Sequence, residues 1–244
     1  MENTSIIALS KQAAIKRELG VIANNIANMN TTGFKTERLM FVEHLVRSRG
    51  GNKIGGERQS YVRDIATVRD FSDGALQQTG NSLDLAIKED GYFVIGTPSG
   101  ERYTRSGNFQ LDQDGQLVTR TGNPVLSKER EPFFFSPEDR DIAIAMDGTI
   151  STENGTLGKL NIVKFANPHE LKVVSGGLYS STRVPQTDDT PVVLQGMLEN
   201  SNVQPIVEMT RMIEASRAFE SIKNFIEKED ARIKQMMDAY SQRA

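Results

Sequence analysis

The 244-residue sequence contains no cysteine, which excludes a disulfide framework, a thiolate nucleophile and any cysteine-ligated zinc site. The compartment stays open, since a cysteine-free chain suits reducing and oxidising surroundings alike. Histidine is scarce: His44 and His169 are the two present, neither with an acidic partner at helical metal-site spacing. Each reads as an ordinary surface or satisfied residue. Long hydrophobic runs are missing as well. The longest early one, Ile6 to Leu9, falls well short of the roughly 7–15 residues of a secretory h-region, and Glu2 stands where positive charge is expected. Nothing approaches the ~20 apolar residues that span a bilayer, so direct membrane insertion is not expected. A net charge of −3 excludes bulk binding to nucleic acid.

Motifs for small-ligand chemistry are absent too. Asp112-Gln113-Asp114-Gly115 has its glycine at the fourth position of a would-be calcium loop and no closing Glu, so it reads as a hairpin turn. Gly155 to Leu160 lacks both the Walker spacing and its final Ser or Thr. No carboxylate sits in an apolar run that would raise its pKa. The expectation is a chain with no cofactor, no metal and no enzymatic activity.

What is present is a pattern that changes twice. Residues 5–29 read as a helix in which Ile15, Leu19, Ile22, Ile26 and Met29 form a narrow heptad stripe. Gly33 is placed to leave the helical region, and a shorter helical stretch is expected from Lys35 to Arg47. The glycine-rich run 50–56 is read as linker or loop. From about Phe71 to Leu198 short strand candidates alternate with turn dipeptides, among them Asp90-Gly91, Asp114-Gly115, Asp147-Gly148 and Asn154-Gly155. These argue for an antiparallel β domain. In it Leu83, Leu85 and Ile87 alternate with Asp84, Ala86 and Lys88. Beyond Pro205, which suits a first helical turn, Met212, Ala215, Phe219, Ile222, Ile226, Ile233, Met236 and Tyr240 hold a heptad register over about 36 residues, roughly 54 Å of helix.

The fold class expected is therefore α+β, with a discontinuous, coiled-coil-like helical domain drawn from both termini and an intervening antiparallel β domain. The boundaries are 1–46 for the N-terminal helical segment, 47–70 for a linker or extended segment, 71–198 for the β-rich domain and 199–244 for the C-terminal helical segment. The two narrow seams should pack on each other or on copies from neighbouring subunits. An isolated helix as short as the first is marginal in water, so both ends are expected to complete their order on assembly.

Ala23-Asn24-Asn25-Ile26-Ala27-Asn28-Met29-Asn30-Thr31-Thr32-Gly33-Phe34-Lys35 resembles the N-terminal motif of the flagellar rod and hook protein family. Thr79 to Ile87, Gly91-Tyr92-Phe93 and Tyr103 to Phe109 resemble its central block. Leu198 to Val203, Glu208-Met209 and Arg217 to Glu220 resemble its C-terminal block. The length is too short for a hook subunit, and the opening residues resemble a proximal-rod member, with a distal-rod member as the alternative. The resemblance implies a subunit of the hollow basal-body rod that passes torque from motor to hook. Its partners would be copies of itself, other rod proteins and, during secretion, the flagellar type III export apparatus. It would lie in the periplasm-spanning rod, exported without a cleaved signal peptide.

Subunit-interface roles are expected for Asn24, Asn25, Asn28, Thr32, Gly33, Phe34 and Lys35, and for Asn200, Asn202, Val203, Met209, Met212, Phe219, Ile222 and Ile226. The asparagines either fix register across subunits through their amides or serve as local caps. Phe34 either anchors an intersubunit pocket or closes a contact inside one chain. Lys11, Lys16 and Arg17 could face acidic groups of a neighbour or simply water. A rival from another class is a β-domain binding protein with a coiled-coil dimerisation stalk.

Overall fold

The computed structural model describes residues 2–47, 58–139, 141–188 and 190–241. The chain divides into two units, one built from Met1–Ala27, Glu37–Asp70 and Gln204–Ala244, the other from Asn28–Thr36 and Phe71–Val203. Neither is continuous in sequence.

The first unit holds helix α1 (Glu2–Ala27), strands β1 (Glu37–Arg47) and β2 (Arg58–Arg69), and a C-terminal helix, Pro205–Ser241. Its core is the seam expected from the heptads. Ile15, Ile22 and Ala215 are buried, with Leu19, Ile26, Met212, Ala218, Phe219 and Ile222 packed around them. The two ends of the chain thus pack on each other within one molecule. Each large aliphatic residue buried there contributes about 1.5–3 kcal/mol. Pro205 opens the second helix where its missing N–H costs nothing, and Glu208 in the first turn suits the positive end of the dipole.

The helix expected over Lys35 to Arg47 is a strand instead. β1 and β2 pair antiparallel from Glu37 opposite Arg69 to Arg47 opposite Arg58, with a register shift between Met40 and Phe41. The stretch read as a linker or extended segment over 47–70 contributes its second half to that ladder. Residues 37–47 carry apolar side chains at spacings that suit a helix, but Phe41, Val42 and Val46 suit a strand equally. The decision comes from β2, a partner that local periodicity does not reveal. The glycine-rich 50–56 run lies outside the described residues.

In the second unit the strands are β3 (Leu76–Gln78), β4 (Leu85–Lys88), β5 (Tyr92–Thr97), β6 (Gly100–Thr104), β7 (Phe109–Leu111) and β8 (Leu117–Thr119). There follow β9 (Ala143–Ile144), β10 (Thr149–Thr152), β11 (Gly155–Lys159), β12 (Ile162–Lys164), β13 (Lys172–Val173), β14 (Tyr179–Ser180), β15 (Gln186–Thr187), β16 (Val192–Gln195) and β17 (Met197–Glu199). The pairings among them are antiparallel. The largest sheet runs β13-β14-β6-β5-β12-β15 and is covered on both faces. Phe93, Ile95 and Ile162 enter one apolar cluster with Leu85, Leu117, Ile150 and Val193. Tyr92, Val94 and Val163 enter another with Tyr103, Leu171 and Tyr179. That double burial explains the unbroken apolar run Tyr92 to Ile95. Asp84, just before β4, and Ala86 within it are buried together with Leu85 and Ile87. Asp84 is satisfied by Thr79 Oγ1 at 2.7 Å and Asn108 Nδ2 at 3.1 Å, so its charge does not need water. The 112–115 segment is the hairpin turn expected, Asp112 Oδ1 accepting from the amides of Asp114 and Gln116.

Candidate functional site

Within the second unit the 28–36 loop is held by a knot of buried charge. Glu199, 2% exposed at its side chain, lies between two cations that are equally buried. Lys35 Nζ meets its Oε1 at 2.7 Å and also donates to the Ser72 carbonyl at 2.8 Å. Arg105 Nε stands 2.8 Å from its Oε2, an ion pair without a well-directed hydrogen bond. The rest of the Arg105 guanidinium donates to the carbonyls of Glu89 and Gly91 and to Asp73 Oδ1. The Gly74 amide adds a donor to Glu199 Oε1 at 3.1 Å. Two cations and two carboxylates leave the cluster neutral, which is the condition for burying it at all. Arg105 also lies over the Tyr92 ring, 5.9 Å from its centroid. Burial, reinforced by Tyr179, pushes the Tyr92 phenol far above its ordinary value, so it stays neutral beside the cation.

Asn202 ties the same segments together through its amide. Its Oδ1 accepts from both the backbone N–H and the hydroxyl of Thr36 at 2.7 Å, and its Nδ2 donates to the carbonyl and hydroxyl of Ser72. Gly33 is needed twice over. Its φ of +68° suits glycine, and a Cβ there would lie 2.6 Å from the Ser106 amide nitrogen. Its own N–H donates to the Glu199 carbonyl at 2.8 Å. Gly74 is required by proximity, since a Cβ would fall 1.8 Å from the Asn200 carbonyl oxygen.

A second polar site lies in the first unit. Asn25, 1% exposed, exchanges two 2.9 Å bonds with the Glu37 backbone, Oδ1 accepting from its N–H and Nδ2 donating to its carbonyl. The side chain thus imitates a strand partner and pins the end of α1 to the start of β1. Nδ2 also donates to Glu208 Oε2 at 3.1 Å. With Asn25 near the end of α1 and Glu208 in the first turn of the C-terminal helix, the two helices run antiparallel along their common seam.

The residues singled out in the sequence separate cleanly. Asn25, Met212, Phe219, Ile222 and Ile226 lie in the first unit, buried or half-buried. Asn24 and Met209 in the same unit are exposed, Met209 by 49%. Asn28, Thr32, Gly33, Phe34, Lys35, Asn200, Asn202 and Val203 lie in the second. There the Asn28 side-chain oxygen accepts from Thr31 Oγ1, and Thr32 shares a 2.8 Å hydroxyl contact with Ser106. The Phe34 carbonyl accepts from the Asn202 amide, and the Asn200 amide donates to Ala75. Sequence reasoning missed Arg105, Glu199 and Glu208, although all three fall inside the blocks that carry the family resemblance. A charged residue flanked by strand-forming or glycine positions was the available signal. Among the described residues no group of three His, Asp or Glu could hold a metal, and no helix is long and apolar enough to cross a membrane.

Each of the two discontinuous units thus carries one of these buried polar sites. Three family signatures match in order: the flagella basal body rod protein signature over residues 4–35, the flagellar hook protein FlgE/F/G D1 domain over 86–152 and the flagellar basal body rod FlgEFG protein C-terminal signature over 194–239. The chain belongs to this flagellar basal-body rod and hook protein family. It is 36% identical to the flagellar basal-body rod protein FlgF of Caulobacter vibrioides over 93% of each chain. It is 35% identical to FlgF of Mesorhizobium japonicum over 91% of this chain and 90% of that one. The basal-body rod protein FlgG of Bacillus subtilis is 35% identical over 94% of this chain and 96% of its own.

Proposed function

We propose that the protein is a structural subunit of the flagellar basal-body rod, of the FlgF type, with a mechanical rather than a catalytic role. The observation that carries this reading is the match over 93% of the chain to a relative named as a rod protein. Family membership sets aside the free-standing binding protein with a dimerisation stalk. On this reading subunits join copies of themselves and other rod proteins, the chain passes through the flagellar export apparatus without a cleaved signal, and rotation passes through the packing of subunits. Interface roles go to the exposed members of the sequence set, Asn24 and Met209, while Asn25, Lys35 and Asn202 act inside the chain.

A FlgG-type, distal position is the second reading, favoured by the nearly equal identity to FlgG. Electron microscopy of basal bodies from cells lacking the protein tests both. Loss of everything above the lowest part of the rod supports the FlgF type, and a rod missing only its upper part supports the FlgG type. Intact rods would end the proposal.

A further inference from the structure

Gly20 stands inside α1, where glycine costs a helix stability relative to alanine, and among the described residues nothing lies within 4 Å of where its Cβ would be. The described residues give this glycine no packing reason. It belongs to a stripe, Leu9, Ala13, Lys16, Gly20, Ala23 and Ala27, at the alternating spacing of one helix face, and all six are exposed. The stripe lies across the helix from the buried Ile15 and Ile22, and apart from Leu9 and Lys16 its side chains are no larger than a methyl.

The C-terminal helix, α2, carries the opposite relief. Ile206, Met209 and Ile213 are 81%, 49% and 54% exposed and fall on one face at a spacing of three and four. The same face continues a heptad later to the exposed Glu220. This face too lies across its helix from the seam residues Met212, Ala215 and Phe219. Over the first turns of this helix, three large apolar side chains are thus left exposed by the described residues.

We propose that the Ile206/Met209/Ile213 face of α2 docks on the Gly20 face of α1 in a second copy of this chain, a reading that rests on the rod assignment above. The fit is of size and charge: large side chains enter a strip of methyls and a bare Cα, and Glu220 offers a counter-charge to Lys16. Because each face points away from the α1–α2 seam, one partner cannot cover both. The contact is head-to-tail, and such contacts propagate as a ring or a helix rather than stopping at a dimer.

The absence of cysteine makes a cross-linking test free of background. Gly20→Cys or Ala13→Cys is combined in turn with Met209→Cys or Ile213→Cys, and basal bodies from cells making each variant are oxidised and run without reductant. At least one double variant should give a ladder of dimer, trimer and tetramer that no single variant gives. Double variants that enter basal bodies at wild-type amount and give no ladder overturn the proposal, as does a single variant that cross-links to itself. Gly20→Leu provides an independent measurement. It should leave the circular dichroism and melting of the purified chain intact while lowering its incorporation at least tenfold, and incorporation at the wild-type level overturns the proposal. Absence of the unmodified chain from purified basal bodies would instead sink the rod assignment itself.

Discussion

Glu199 is the residue on which the second unit is most exposed to damage. Glu199→Gln leaves Lys35 and Arg105 buried with only Asp73, itself 56% exposed at its side chain, as counter-ion. Removing one partner of a buried pair costs about 3–5 kcal/mol, so urea unfolding should show a loss in that range. Lys35→Met should cost less, because Glu199 keeps Arg105 and the two carboxylates face one cation instead of one carboxylate facing two. Equal losses would show that Lys35 acts through packing of its stem rather than its charge. Asn25→Asp is a sharper test in the first unit. It replaces an amide that donates to Glu208 at 3.1 Å by a carboxyl that repels it, both positions being buried. The introduced group would have its pKa raised in the fold, so the charge-dependent part of the deficit should be absent below about pH 4, grow as pH rises, and level off above the raised value. At neutral pH it should reach about 3–5 kcal/mol, and melting curves across pH check both the size and the sign.

Among the elements, α1 and α2 depend on the seam far more than on their surfaces. Ile22→Ala, at a side chain 4% exposed, should cost about 2–5 kcal/mol. Met237→Ala, 66% exposed, should stay within about 0.5 kcal/mol in the purified chain, and thermal unfolding separates the two. The β9–β10 turn gives a pH signal of its own. The Thr149 amide, then its hydroxyl, hold the Asp147 carboxyl below its ordinary 3.8, with Lys159 adding to the effect. Such a carboxylate stabilises the turn above the unfolded value and loses that contribution as pH falls through the lower folded one. The Thr149 amide resonance should therefore titrate below pH 3.8. Elements with local signatures were legible in the sequence. The heptads of both helices, Pro205, and the Asp-Gly turns at 114–115 and 147–148 announce themselves within a few residues. β1 was not, because its ladder is decided by β2 across the 48–57 stretch. Nor was the charge cluster, since Lys35, Arg105 and Glu199 meet only after the whole β unit has folded.

For the molecule as a whole, the discontinuity of both units sets a condition on folding. The second unit needs the 28–36 loop and the segment around Glu199, so it cannot close until both ends of its sequence are present. Such long-range closure must be met before its contacts stabilise anything. A chain ending at Val203 keeps Glu199, Asn202 and every partner they have in that unit, while losing α2 and with it the seam that holds α1. A chain ending at Leu198 loses the Glu199 carboxylate and leaves Asp73 as the remaining side-chain counter-ion of the buried Lys35 and Arg105. It also loses the Glu199 carbonyl that accepts from Gly33 and the Asn202 amide that joins Thr36 to Ser72. The chain ending at Val203 should therefore show the dispersed amide resonances of a folded β unit, including those of residues 28–36, together with a disordered first unit. The chain ending at Leu198 should lose that dispersion or melt far lower, although both retain the whole apolar clusters around Phe93 and Tyr92. Equal dispersion and equal melting of the two would mean that apolar burial suffices and that the five residues 199–203 add no closure. A large difference would mean that the β unit of this rod-family chain is locked by its last few residues.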